Sequence, residues 1–345
     1  MNVARRGTRA IAIYDRYAAR ALAGETLGRD DARAVLSAPD DDLRALLLAA
    51  FRVREQHFGR RVKVCLLRNA RSGLCPEDCH YCSQSAVAKA AIDTYRLLPT
   101  EQLIAGAEAA VARGAHRYCM VTSGRGPSAR DIAEVSEATR AIKARFPRLE
   151  ICVSLGIMNE EQARTLKDAG VGWVNHNLNT SERFHPSICT THTYADRVAT
   201  VRAVRRAGLA TCCGGILGMG ETDDDVVELA FALRELRVDS LPVNFLLPIP
   251  GTPLEDCPSV TATRALKALC LFRFTNPESE IRAAGGRERS LGTWQALALY
   301  PANSIFVDGY LTTEGLGAER ARRMIESLGF TAEVEADGAF QPVHL

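Results

Sequence analysis

The sequence predicts an α/β fold, a (β/α)8 barrel of the TIM type with an N-terminal helical lead-in. From Arg61 onward, short apolar runs of strand length alternate with amphipathic stretches of helical periodicity. Eight such units in about 270 residues match the size of a barrel, and an open doubly wound sheet is the alternative. The candidate strands are residues 62–68, 117–123, 150–156, 172–178, 211–218, 241–247, 280–286 and 303–309.

The stretches between these strands have the signals of helices. Thr222, followed by Asp225 three residues later, is a helix start of the capping-box kind, with Asp in place of the usual Glu or Gln. The candidate helices include residues 129–145, 159–169, 193–207, 222–236, 260–274, 287–299 and 315–328.

Residues 1–59 are predicted to form a helical extension that packs on the barrel. Several arginines precede the first acid, Asp15, as in a cleaved targeting presequence. However, apolar residues continue at helical spacing from Leu36 to Phe51, which favours helices that belong to the fold. We therefore expect a helical extension over 1–59, a barrel over 60–330 and a C-terminal tail over 331–345.

The composition is that of an ordinary globular chain. The 345 residues are 47% hydrophobic and 24% charged, with a formal net charge of +2. This balance gives no reason to expect nucleic acid, and no apolar run reaches the roughly 18 residues of a membrane span. Eleven cysteines without a secretory signal suggest metal chemistry in a reducing compartment, so we expect a cytoplasmic protein.

Three cysteines cluster in the loop after the first strand, where a barrel carries active residues. Cys75, Cys79 and Cys82 have the spacing C-x3-C-x2-C. Structural zinc wants four protein ligands, and no fourth Cys or well-placed His completes a local site. Disulfides are disfavoured by the odd number and by the compartment. A 4Fe-4S cluster can take three thiolates and leave one iron open, and Tyr81 could stack on the base of a ligand there.

The fourth strand carries a stripe of amides. In VNHNLNTS, Asn175, Asn177 and Asn179 share one face, which we expect to line the barrel lumen, and His176 falls on the outer face as a packed histidine. The amides either satisfy one another and water in a polar core, or they contact a ligand rich in donors and acceptors, such as a ribose or a cyclic urea.

A second set of cysteines lies on the strands themselves. Cys119, Cys152 and either Cys212 or Cys213 could converge in the lumen, since the last two are adjacent and face opposite ways. A single buried cysteine is usually a small apolar core residue. Three of them near a cluster loop favour a second metal site, and Arg282 on strand seven would need an anionic or metal-bound partner there.

The string NARSGLCPEDCHYCSQS, residues 69–85, resembles the radical S-adenosylmethionine (radical SAM) enzymes, and within that superfamily it resembles the biotin synthase branch. The resemblance implies a barrel enzyme that inserts sulfur into dethiobiotin to form biotin, after a 5'-deoxyadenosyl radical abstracts hydrogen from unactivated carbons. It also implies SAM, a 4Fe-4S cluster, an auxiliary cluster of the 2Fe-2S type, an electron donor of the flavodoxin or ferredoxin type, and a homodimer.

The resemblance also assigns roles to individual residues. Val174 and Asn179 depart from the family segment YNHNLDTS, so the role of Asn179 is the weakest match. The implied sets are Cys75, Cys79 and Cys82 for the catalytic 4Fe-4S cluster; Cys119, Cys152, Cys212 and Arg282 for the auxiliary cluster; Tyr81, Asn177, Asn179 and Arg197 for SAM; and Asn175 and Asn244 for the substrate.

Three alternatives remain at this point. Another radical SAM enzyme, such as a methylornithine synthase or a hydrogenase-maturation relative, would share the barrel but would not need the strand cysteines. A non-catalytic iron–sulfur carrier would close its cluster with a fourth thiolate, and a structural zinc protein is a third possibility. Cys189 lies near the expected active face and could touch a cluster, whereas no role is implied for Cys65, Cys213, Cys257 and Cys270.

Overall fold

A closed ring of parallel strands forms the centre of the computed structural model, which describes residues 3–313 and 315–333, without the side chains of 3–10. The first strand pairs with both the second and the ninth, and this closes the ring. The predicted barrel is confirmed. The strands are β1 Arg61–Arg71, β2 Arg117–Thr122, β3 Glu150–Ser154, β4 Trp173–Asn175, β5 Ala210–Cys212, β6 Gly215–Leu217, β7 Ser240–Phe245, β8 Glu280–Ala283, β9 Ser304–Val307 and β10 Thr331–Glu333.

Helices surround the ring and also precede it. Ser128, Asn159, Thr193 and Thr222 each begin a helix with a reciprocal capping box, as predicted for Thr222 and Asp225. The α-helices are α1 Val3–Leu22, α2 Arg29–Leu36, α3 Leu43–Phe58, α4 Thr100–Ala112, α5 Ala129–Arg145, α6 Glu160–Asp168, α7 Tyr194–Arg206, α8 Asp223–Glu235, α9 Ala262–Thr275, α10 Arg287–Leu291 and α11 Ala318–Ser327. Within the described residues, no helix is both long and apolar enough to cross a membrane.

The first helices and the last described strand both pack against the barrel. Helix α1 packs against α3, α2 lies against α8 and α9, and α3 lies along α9. The rings of Tyr17 and Phe274 meet edge to face with centroids 6.3 Å apart. At the other end, β10 pairs with the start of β1, so the segment expected to be a tail begins with a strand.

The predicted fifth strand, 211–218, is broken into β5 and β6. At Gly214 the backbone passes so close to β7 that a Cβ atom would lie 1.9 Å from the carbonyl oxygen of Pro242. The Gly214 N–H leaves the strand ladder and donates to Oδ1 of Asn177 at 3.1 Å. Only glycine fits this position, and the break brings the amide stripe against the strand.

Buried and half-buried ion pairs close the barrel at the N-terminal ends of its strands. Arg117 donates two hydrogen bonds of 3.0 Å to Glu280 and one of 2.8 Å to Glu150, and its guanidinium lies 3.7 Å from the Trp173 ring centroid. Lys63 lies 3.6 Å from Glu150 and 3.7 Å from Glu280. A buried charge is tolerated only when it is paired and hydrogen-bonded, and here both carboxylates pair with Arg117 and Lys63. We call these five residues the ionic floor.

The ionic floor predicts a pH dependence of stability. Burial raises the pKa of Glu150, but the hydrogen bond from His116 and the charges of Arg117 and Lys63 outweigh it and lower the pKa from 4.5 to about 2. Because the unfolded chain binds this proton more readily, the stabilisation is present above pH 4.5 and is lost as the pH falls towards 2. Thermal unfolding should show the melting temperature of the wild type falling more steeply over this range than that of Glu150→Gln. The exposed control Glu137→Gln should follow the wild type.

Candidate active site

All the site residues predicted from the sequence line one cavity at the C-terminal ends of the barrel strands. The loop cysteines and the strand cysteines both contribute to its wall, as do the amides and arginines expected between them. The predicted residues that line it are Cys75, Cys79, Tyr81, Cys82, Cys119, Cys152, Asn175, Asn177, Asn179, Arg197, Cys212, Asn244 and Arg282.

Consecutive turns shape the cysteine loop. The Cys82 N–H donates to the Cys79 carbonyl, and the Ser85 N–H donates to the Cys82 carbonyl, each at 3.1 Å. All three thiols contribute to the cavity wall, with Cys79 buried and Cys75 and Cys82 half-buried. Burial raises the pKa of Cys82 to about 11, so a metal must displace its proton. Three thiols on one loop that face one cavity fit a cluster held by three thiolates.

No fourth ligand lies within the loop itself, but the fold brings Cys189, expected near the active face, next to the loop. The segment after β4 folds over the loop and brings the Cys189 Sγ to 3.8 Å from the Cys79 Sγ. His192 is also close, with its Nδ1 3.3 Å from the Cys189 Sγ. A hydrogen bond from Cys79 lowers the pKa of Cys189 to about 4, and His192 contributes in the same direction.

Arg197 is a buried cation in the cavity wall without a carboxylate partner among the residues that the structure describes. Its Nη1 donates to the Asn177 carbonyl at 2.9 Å, its Nη2 to the Tyr81 hydroxyl at 3.3 Å, and its Nε to Nε2 of His185 at 3.3 Å. The Asn179 amide meets the same Tyr81 hydroxyl at 2.5 Å. A buried guanidinium held only by neutral groups fits an anionic ligand.

The predicted amide stripe extends beyond β4, which ends at Asn175, and the amides that line the cavity are partly satisfied by the protein. Asn175 Nδ2 donates to Asn177 Oδ1 at 3.0 Å and to the Cys212 carbonyl at 3.2 Å. Asn244 is braced at both ends of its amide, by the Gly215 carbonyl at 3.1 Å and the Gly285 N–H at 3.0 Å. Asn175 and Asn177 thus bond to each other, as the polar-core alternative expects, and both side chains also face the cavity.

The strand cysteines converge deeper in the cavity. Cys119 lies opposite Cys152 in the β2–β3 register, and Cys212 lies opposite Asn175 in the β4–β5 register. A hydrogen bond with Cys152, together with the charges of Arg282 and Arg117, outweighs burial and lowers the pKa of Cys212 to about 5. Cys213 faces the other way, into the apolar layer under the helices, where burial raises its pKa to about 12.

Arg282 connects the strand cysteines to the ionic floor. Its Nη1 lies 3.6 Å from the Cys212 Sγ, its Nε donates to Ser304 Oγ at 3.0 Å, and it pairs with Glu280. With the ionic floor included, three cationic side chains face two carboxylates beneath the thiols. The excess positive charge favours the thiolate form of the strand cysteines over the thiol form. These residues therefore fit an anionic metal–sulfur group.

Two family models match the chain. Residues 71–233 match the radical SAM superfamily, and residues 242–331 match the Biotin and Thiamin Synthesis associated domain. A biotin synthase of Thermus thermophilus is 53% identical over 320 residues, 92% of this chain and 97% of that protein. The biotin synthase of Bacillus subtilis is 49% identical over 314 residues, 91% of this chain and 93% of that protein. The chain belongs to the biotin synthase family.

Solved structures of more distant relatives share the barrel. A methylornithine synthase superposes with a TM-score of 0.80 at 21% identity, covering 91% of this chain and 96% of that one. HydG, a maturase of the [FeFe]-hydrogenase, gives a TM-score of 0.80 at 14% identity, covering 94% of this chain and 76% of that one. These similarities show the fold. Family membership makes the chain a radical SAM enzyme and removes the carrier and structural zinc alternatives.

Sequence reasoning missed several residues of the site. The sequence assigns no role to His192, and it does not indicate the ionic floor because the members of the floor lie far apart in the chain. Tyr310 closes the cavity beside Phe306, with ring centroids 5.5 Å apart. His176 also contributes to the cavity wall, although alternation placed it on the outer face, because β4 ends at Asn175 and regular alternation stops there.

Proposed function

We propose that this chain converts dethiobiotin to biotin by inserting sulfur between two unactivated carbons. The observation that carries the proposal is that one cavity holds two separate sets of three cysteines, and that the deeper set adjoins a buried arginine. A radical SAM enzyme that inserts no sulfur has no use for the deeper set. The membership of the biotin synthase family supports the same reaction.

In this proposal Cys75, Cys79 and Cys82 would hold a 4Fe-4S cluster and leave room for SAM beside it. When bound and reduced, the cluster supplies the electron that cleaves SAM to methionine and a 5'-deoxyadenosyl radical. Arg197 pairs with the SAM carboxylate, which gives the buried guanidinium the anionic partner that its protein neighbours do not provide. Tyr81, Asn177 and Asn179 orient the nucleoside part of SAM through ring contact and amide hydrogen bonds.

Asn175 and Asn244 position dethiobiotin, whose cyclic urea has the donors and acceptors that amides recognise. Both side chains are held by hydrogen bonds to neighbouring groups, so they direct the substrate with little loss of rotamer freedom.

The target carbons have no acidic proton, so no general acid or base is needed. Two SAM molecules are needed, because each 5'-deoxyadenosyl radical takes one hydrogen atom and becomes 5'-deoxyadenosine. Each carbon radical would then bond to the same sulfide sulfur, and the irons of the sulfur source would accept one electron for each C–S bond formed. The barrel wall excludes water from the radical.

Cys119, Cys152 and Cys212, with Arg282, hold the sulfur source in this proposal, an auxiliary cluster of the 2Fe-2S type. Arg282 either binds the cluster or compensates its charge.

The electron donor is proposed to be of the flavodoxin or ferredoxin type, and the enzyme is proposed to act as a homodimer in the cytoplasm. The reducing conditions that its free cysteines require support that location.

The proposed function predicts biotin formation in vitro. The chain is reconstituted anaerobically with iron and sulfide and is then given SAM, dethiobiotin and a reductant, with dethiobiotin omitted as the control. Mass spectrometry should detect both 5'-deoxyadenosine and biotin. Formation of 5'-deoxyadenosine without any biotin would contradict sulfur insertion and leave only the superfamily chemistry.

The adjacent pair Cys212 and Cys213 offers a matched test of the auxiliary site. Because only Cys212 faces the cavity, Cys212→Ala should lower the iron and sulfide contents of the reconstituted protein by roughly two of each per chain, the content of a 2Fe-2S cluster. Cys213→Ala should keep the wild-type contents. Equal losses in both variants, measured by iron and acid-labile sulfide assays, would contradict the assignment.

A further inference from the structure

Cys79, Cys189 and His192 form a compact group of ligands at the top of the cavity. Their ligand atoms all lie within 4.8 Å of one another, and all three side chains are buried. We propose that these residues bind a single divalent ion of the zinc class in the cluster-free chain. We call this group the mononuclear site.

The spacing of two ligand pairs matches tetrahedral coordination. Two sulfur atoms at the usual zinc–sulfur distance of about 2.3 Å lie about 3.8 Å apart across a tetrahedral ion, and sulfur and imidazole nitrogen lie about 3.6 Å apart. The Sγ atoms of Cys79 and Cys189 are 3.8 Å apart. The Cys189 Sγ is 3.6 Å from Nε2 of His192. Two of the three ligand pairs therefore have tetrahedral spacing, and the third pair, Cys79 with His192, lies within 4.8 Å.

The orientation of His192 also suits a ligand. Its Nδ1 contacts the Glu77 carboxylate, which Arg125 and the Thr191 hydroxyl also contact. A metal-binding histidine commonly donates its second ring N–H to a carboxylate in this way, which fixes the tautomer and the ring orientation. The contact with Glu77 leaves Nε2 free for the ion.

Hydrogen bonds between two loops hold Cys189 opposite Cys79. The backbone N–H of His80 donates to the Ile188 carbonyl at 3.0 Å. The Asp78 carboxylate accepts the backbone N–H groups of Thr190 at 2.9 Å and Thr191 at 3.2 Å. Asp78 Oδ1 also accepts a hydrogen bond from the Cys189 thiol at 3.2 Å, and an ion bound to Cys189 would replace that thiol proton. The mononuclear site then offers three protein ligands and leaves the fourth position to water or another small ligand.

The mononuclear site has a consequence for cluster assembly. Cys79 cannot serve a mononuclear ion and a 4Fe-4S cluster together, so the two should exclude each other. This consequence rests on the proposed function, because it assumes that Cys79 is a cluster ligand. Binding of the ion itself does not depend on the proposed function. Zinc should therefore slow reconstitution of the wild-type cluster, and it should slow that of Cys189→Ser much less.

Metal binding to the full-length, cluster-free chain tests the mononuclear site directly. Zn²⁺ affinity is measured anaerobically by competition with a chelator, and Co²⁺ serves as a second probe because its thiolate bonds absorb light. We expect one tight ion per chain. Cys189→Ser and His192→Asn should each weaken binding at least about tenfold, since each removes a ligand, and Cys189→Ser should lower the cobalt–thiolate absorption.

Matched variants separate this site from the other thiols. Cys75→Ser alters the loop without touching the mononuclear site, Cys152→Ser alters the deeper set, and Cys257→Ser alters a half-buried cysteine outside both sets. All three should keep the tight ion. Loss of binding in Cys75→Ser with full binding in Cys189→Ser and His192→Asn would overturn the proposal, because the cysteine loop alone would then hold the ion. No SAM or dethiobiotin is present, so failure here is distinct from failure to form biotin.

Discussion

A buried positive charge in the barrel lumen must be matched by negative charge, and much of this site follows from that constraint. Arg282 is 1% exposed and Arg117 is fully buried. Removing such ions from water is expensive unless partners and hydrogen bonds compensate. Glu280 pairs with both arginines, and the thiols above them face the charge that remains. The lumen is therefore suited to an anionic sulfur-bound group before any ligand arrives.

The closed parallel ring explains why the two cysteine sets share one cavity. The C-terminal ends of the strands meet at one face, so the loop after β1 lies above residues carried on β2, β3 and β5. The strands hold the deeper thiols rigidly, whereas the loop presents its thiols near Arg197. In the proposed function this arrangement places SAM between the loop and the strands, so that its nucleoside can reach a substrate held below.

Much of this organisation could be predicted from the sequence, since it depends on local periodicity. Alternation of strands and helices indicated the barrel, and alternation along strand five separated Cys212 from Cys213. Contacts between distant segments could not be predicted in this way. Cys79 and Cys189 are 110 positions apart, and the break at Gly214 depends on the approach of β7. The ionic floor joins residues from five strands, so no single stretch of sequence reveals it.

In the proposed function, the loop cysteines hold the cluster that generates the radical, and the strand cysteines hold the cluster that provides the sulfur. The most direct test measures 5'-deoxyadenosine and biotin in the same reaction of reconstituted Cys152→Ala, with Cys270→Ala as a control for a buried cysteine of helix α9. The account predicts that Cys152→Ala still cleaves SAM and forms 5'-deoxyadenosine but yields no biotin, while Cys270→Ala forms both products. An unchanged biotin yield from Cys152→Ala would contradict the account.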